Sequence, residues 1–119
     1  MNKIKYFSKD KIRMSGDSSG SKYFGVSLNK AMLTYFEAGP NFVFETHSHK
    51  SEQITFVIEG ELFFKTKKST TCVREGEAIA VPSGVAHSVF TGKKKARALD
   101  AWSPVMKKYL TKYKGKNIL

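Results

Sequence analysis

Apolar and polar positions along this chain fall into short runs broken by turns, not into long periodic stretches. The runs are Tyr23 to Leu28, Ala31 to Glu37, Phe42 to His47, Gln53 to Ile58, Glu61 to Lys65, Thr71 to Arg74, Ala78 to Val81, His87 to Phe90 and Ala96 to Trp102. They are rich in Val, Ile, Thr and Phe, which suit a pleated and half-buried surface. Turn signals separate them at Gly39-Pro40, Glu59-Gly60, Glu75-Gly76 and Ser83-Gly84. Short strands at this spacing predict an all-β sandwich or barrel.

The two ends read differently. Ser15 to Ser21 is a Ser/Gly/Asp stretch, expected to be flexible. After Trp102 the period changes. Ser103 suits an N-cap and Pro104 a first helical position, and Val105, Met106, Tyr109, Leu110 and Tyr113 recur at three-to-four spacing. A short amphipathic C-terminal α-helix is expected. The organisation predicted is an N-terminal arm and flexible segment over 1–22, a barrel over 23–103, and a helix with a basic tail over 104–119.

Composition fits one ordered domain. The chain has 119 residues, 40% hydrophobic and 13% aromatic, enough for a single core. Its one cysteine, Cys72, excludes an intrachain disulfide and reads as a small strand residue. Met1 to Asp10 alternates lysine with single apolar residues and lacks the apolar stretch of a signal peptide, and no run approaches bilayer length. A cytoplasmic protein without membrane contact is expected. The formal charge is +11, from 21 basic against 10 acidic residues. Only three of the basic residues are Arg, the lysines are dispersed, and no nucleic-acid motif accompanies them. The charge therefore predicts attraction for small anionic ligands rather than nucleic-acid recognition.

The chemistry concentrates on the only three histidines. His47 and His49 are two residues apart, a spacing that puts both rings on one face of a strand. Gln53 opens the next strand close by, and a barrel brings His87 across to them. Three imidazoles and an amide oxygen suit one divalent first-row metal with open positions. Glu52 could instead supply a carboxylate, but as the neighbour of Gln53 on a strand it is expected to point to the opposite face.

Two blocks of the chain resemble the paired motifs of the cupins. The first runs from Gly39 through His47-Ser48-His49 to Gln53 and, after six more residues, Gly60. The second is Gly76, five residues, Pro82, one residue, Gly84, two residues, His87. The resemblance implies a double-stranded β-helix, the cupin jelly-roll barrel, with a metal (Ni, Zn, Fe or Mn) on His47, His49, Gln53 and His87. Gly60 and Gly84 would then occupy turns that need positive φ. Cupins commonly carry Glu where Gln53 stands. An amide leaves the ion's charge uncompensated and favours an anionic ligand.

Within the cupins, the chain is most similar to the small enzymes that open the ring of unsaturated uronates from pectin and alginate breakdown. The likeness continues in Asp100-Ala101-Trp102-Ser103-Pro104. It implies an acid/base role for Asp100 and a pocket wall at Trp102. Met106 stands where that group carries an Arg to clamp a carboxylate, so Lys65 or Arg97 is a substitute if either points inward. Three readings follow: a metal-dependent sugar-acid isomerase or ring-opening enzyme, an iron or nickel dioxygenase, and a non-catalytic module that holds or senses a small anionic ligand. A homodimer is expected, paired through a sheet edge or by exchange of the arm Ile4 to Phe7.

Overall fold

A computed structural model describes residues 3–16 and 20–118. In chain order its strands are β1 (Ile4–Tyr6), β2 (Ser15–Gly16), β3 (Ser21–Ser27), β4 (Met32–Ala38), β5 (Val43–His47), β6 (Glu52–Glu59), β7 (Glu61–Lys65), β8 (Thr70–Arg74), β9 (Ala78–Val81), β10 (His87–Phe90), β11 (Ala96–Ser103) and β12 (Lys116–Ile118). All nine expected strands are present, three with the expected bounds and the others shifted by one or two residues at one or both ends. They form a six-stranded sheet in the order β2-β3-β4-β11-β6-β9 and a four-stranded sheet in the order β5-β10-β7-β8, with antiparallel pairing throughout. This is the all-β jelly roll.

Alternation along the strands sets what faces inward. On β6 the buried residues are Gln53, Thr55 and Val57, and on β11 they are Ala96, Ala98, Asp100 and Trp102. Both inward rows change from apolar to polar along their length. Val57, Ala96 and Ala98 join Leu62, Phe64, Val73 and Val81 in the hydrophobic core. Gln53, Thr55, Asp100 and Trp102 line a cavity beyond it. One set of strands thus supplies the core at one end and a polar site at the other.

One expectation, about the C-terminal end, is corrected. The C-terminal α-helix is absent among the described residues. Lys107–Tyr109 is a single 3-10 turn, and Ser103 ends β11 instead of capping a helix. A short isolated helix is marginal, and this segment gains more by lying across β3. Tyr109 packs on Tyr23 and Trp102 at 5.2 and 5.6 Å between ring centroids, and the Thr111 N–H donates to the Gly25 carbonyl at 3.0 Å. The three-to-four recurrence of apolar residues thus records contacts of an irregular strap. In the arm, Ile4–Tyr6 pairs with the chain's own Lys116–Ile118 in a two-stranded ribbon. Of the Ser15 to Ser21 stretch, Ser15, Gly16 and Ser21 belong to strands, while 17–19 lie outside the described residues.

Candidate metal centre

β5 ends at His47, which pairs directly with His87 at the start of β10. The register between them is irregular: Val89 pairs with Phe44, so β5 holds one residue more than β10 over this interval. The bulge has a consequence for the site. Phe44 and His47 are three apart and would face opposite ways on a regular strand, yet both line the cavity. The extra residue is absorbed by Glu45 and Thr46, both exposed. His49 lies beyond the strand end, pinned by a hydrogen bond from the Gly84 N–H to its carbonyl at 2.9 Å. Gly84 itself has φ +80° and Gly60 φ +75°, as expected of both turns.

The three imidazoles converge. Ring centroids lie 4.5 Å apart for His47 and His87, 5.1 Å for His49 and His87, and 5.4 Å for His47 and His49. Each ring offers a nitrogen within 4.8 Å of the others'. Every Nδ1 faces a backbone carbonyl at 2.8 Å: Glu45 for His47, Ser51 for His49 and Val85 for His87. A carbonyl only accepts, so each Nδ1 carries the proton and each Nε2 presents a lone pair. Burial, the largest influence, lowers the affinity of His47 and His87 for a second proton below the ordinary value.

Two observations test whether a cation fits. His87 Nε2 is buried and has no hydrogen-bond partner, an uncompensated lone pair that a metal would satisfy. His49 Nε2 lies 3.0 Å from Gln53 Oε1, and with its proton on Nδ1 both atoms are acceptors. Two ligand atoms about 2.1 Å from a common ion and at right angles stand about 3 Å apart. The pair is therefore spaced as neighbouring ligands of one ion. The donor set fits a divalent metal.

Gln53 is oriented from behind. Its amide nitrogen donates to Thr55 Oγ1 at 2.8 Å, so the Thr55 hydroxyl proton is free to go to Asp100 Oδ1 at 2.5 Å. On the other carboxylate oxygen, Trp102 Nε1 donates to Thr34 Oγ1 at 3.1 Å and Thr34 Oγ1 donates to Oδ2 at 3.0 Å. The indole can only donate, which fixes the direction of that chain. Asp100 thus anchors two donor chains, one of which turns the Gln53 oxygen toward the histidines. Burial raises its proton affinity above the ordinary carboxylate range, partly offset by the hydrogen bonds from Thr55, Thr34 and Gln53.

The cavity these groups line is small, about 60 Å³, with walls that include Phe36, Phe42, Phe44, Phe64, Trp102 and Tyr109. Asp100 and Trp102 line it; among the described residues no lysine or arginine does. Lys65 is exposed at the end of β7, on the face opposite Leu62 and Phe64. Arg97 alternates with inward-facing Ala96 and Ala98, so it lies on the outer face, where Nε bonds Glu59 Oε1 at 2.6 Å and Nη1 bonds Tyr35 Oη at 3.2 Å. Neither replaces a clamp inside the barrel. The nearby cation that sequence reasoning missed is Lys108. Its Nζ stands 5.3 Å from the Phe44 ring centroid and 5.0 Å from that of Tyr109, both wall residues, and its charge is felt at His47.

Comparisons with known proteins agree with this architecture. The cupin domain model Cupin_2 matches residues 34–102. Among solved structures, an RmlC-like cupin from Shewanella frigidimarina superposes with a TM-score of 0.81 at 17% identity, covering 92% of this chain and 100% of its own. KdgF from Halomonas sp. gives 0.78 at 19% identity, over 88% of this chain and 99% of that one. The polyketide cyclase RemF from Streptomyces resistomycificus gives 0.73 at 23% identity, over 86% and 80%. No curated protein matches the chain. With more than half its length matched by the domain model, and with the jelly roll and histidine cluster described above, the chain belongs to the cupin family.

Proposed function

We propose that the protein is a metal-dependent enzyme that ring-opens or tautomerises a small, anionic, oxygen-bearing substrate such as a sugar acid. The observation that carries this reading is a buried carboxyl, Asp100, lining the same cavity as His47, His87 and Gln53, where the lone pairs of the three histidines converge. Bound on His47, His49, His87 and Gln53, a divalent ion would supply Lewis acidity toward a substrate oxygen. Asp100 moves the proton, since burial keeps its carboxyl available as an acid closer to neutral pH than an exposed one. The aromatic walls exclude water and hold an apolar ring face. Lys108 draws the anionic group to the wall residues Phe44 and Tyr109 without entering the cavity. KdgF from Halomonas sp. and the polyketide cyclase RemF are among the fold's relatives, and their likeness supports the fold of this reading rather than its substrate.

The aromatic, cation-free wall favours a second reading, oxygen chemistry at a redox-active metal. Turnover of metal-loaded protein on unsaturated uronates and cyclic sugar acids, with oxygen uptake followed in parallel, separates the two. In the first reading Asp100→Asn lowers kcat by about 10²- to 10⁴-fold, the usual share of a positioned acid or base, with metal content kept. Full activity of Asp100→Asn, or oxygen consumption without isomerised product, contradicts it.

A further inference from the structure

Positive charge is unevenly divided along the chain. Residues 37–100, which supply the three histidines and the hydrophobic core cluster, hold nine basic and eight acidic side chains. Residues 1–36 and 101–119 hold twelve basic and two acidic ones. The fold brings these two stretches together, since β1 pairs with β12 and the strap after β11 lies on β3. The segments that carry nearly all of the net charge thus meet beside the β3–β4 hairpin.

Where they meet there is a groove of about 720 Å³, between the β1–β12 ribbon, the strap and the turn after β3. Lys3, Lys5, Lys30 and Lys114 line it, and among the described residues no carboxylate does. None of the four joins an ion pair among the described residues. Lys3, Lys5 and Phe7 lie two apart, so one face of the ribbon carries all three, and that face is turned to the groove. Asn117, opposite Lys5 in the ribbon, lines it as well. The rest of the wall is apolar. Phe7 meets Tyr113 edge to face at 5.9 Å between ring centroids, and Val26, Leu28 and Leu110 complete it. The backbone fixes this shape: Gly115 has φ +86° and a Cβ there would press on the Phe7 ring, while Thr111 N–H holds the strap to the Gly25 carbonyl. The groove and the metal cavity share no lining residue.

We propose that this groove is a second binding site, for a small organic phosphate with an apolar body. Four ammonium groups with no carboxylate among them attract more than one negative charge. As point charges, lysines suit the several oxygens of a phosphate, whereas a planar carboxylate is matched better by an arginine fork. The apolar wall accounts for the body of the ligand, and the volume falls within the roughly 300–1,000 Å³ of small-molecule sites. Concavity argues against larger anions. Lys3 and Lys5 face into the groove, while Ile4 and Tyr6, which alternate with them, do not line it and are 66% and 56% exposed. A bilayer or a duplex, being broad, meets the outward face of the ribbon, which presents Ile4 and Tyr6 rather than these two lysines.

Calorimetric titration of the full chain with 2-naphthyl phosphate, with and without a chelator, tests this. A single equivalent is expected to bind in both conditions, and inorganic phosphate and 2-naphthol each bind more weakly. Lys5→Gln/Lys114→Gln is expected to raise the dissociation constant about tenfold, the loss of two exposed charge contacts, with a wild-type circular dichroism spectrum. Lys67→Gln/Lys68→Gln, between β7 and β8, is expected to leave it unchanged. Absence of binding overturns the proposal, as does binding that the chelator removes, that is no tighter than that of inorganic phosphate, or that both lysine pairs weaken equally. Retention on phosphatidylserine vesicles or duplex DNA that Lys5→Gln/Lys114→Gln abolishes, without binding of 2-naphthyl phosphate, overturns it in favour of a macromolecular partner.

Discussion

At the level of single residues, the centre depends on hydrogen-bond direction as much as on ligand identity. Thr55 is 1% exposed and transmits the orientation set by Asp100 to the Gln53 amide. In Thr55→Val the shape is kept but both bonds are lost. The amide nitrogen and one carboxylate oxygen then each lose a buried hydrogen bond, and the Gln53 oxygen is held less firmly toward His49. Metal affinity is expected to fall about 10- to 100-fold, the usual effect of removing a group that orients a ligand. Stability is expected to fall by about 1–3 kcal/mol for the unsatisfied groups. Competition with a chelator measures the first and denaturant unfolding of metal-free protein the second; unchanged affinity would show that Gln53 is not oriented this way.

Much of this was legible in the sequence, and some was not. His47 and His49 converge as their spacing suggested, though not by strand alternation, since β5 ends at His47 and His49 lies beyond it; the two motif blocks pointed to Gln53 and His87. Thr34 and Thr55 gave no signal, because a threonine in a strand reads as β-propensity whichever way it faces. Arg97 was decidable: it is an odd number of residues from both Asp100 and Trp102, so with those inward it had to face out. Lys65 was not, because Leu62-Phe63-Phe64 has no alternation to set its parity.

At the level of elements, the strands were readable because alternation and turn residues coincide, and the failures lie where one of these is missing. β1 and β12 are three exposed residues each and show no inward row. The strap after β11 mimicked a helical period because Tyr109 and its neighbours touch β3 and β11 at intervals along an irregular path. The β6–β7 connection illustrates the opposite case. Gly60 has φ +75°, and a Cβ there would overlap the Lys95 carbonyl oxygen. Gly60→Ala combines a left-handed backbone penalty with an unyielding backbone contact. It is expected to cost at least about 2 kcal/mol in urea unfolding, whereas a loss below the error of the fit would mean that the hairpin relaxes freely.

For the whole molecule, the barrel divides its labour between two faces of the same strands. The inner face grades from an apolar core to a cavity lined by His47, His87, Gln53 and Asp100, and the outer face carries exposed apolar side chains such as Leu33, Ile54 and Phe56. Among the lysines, Lys108 stands at the wall residues Phe44 and Tyr109, where an anion would approach. No helix among the described residues is long and apolar enough to cross a membrane. What unites these features is the claim that the barrel exists to hold one ion on four side chains. Elemental analysis of purified wild-type protein beside His47→Ala/His49→Ala tests that claim most directly. Close to one divalent metal per chain is expected in the wild type and none in the double variant, with both retaining the same circular dichroism spectrum; a wild-type protein that carries no metal and takes none up on dialysis against nickel, zinc, iron or manganese would overturn it.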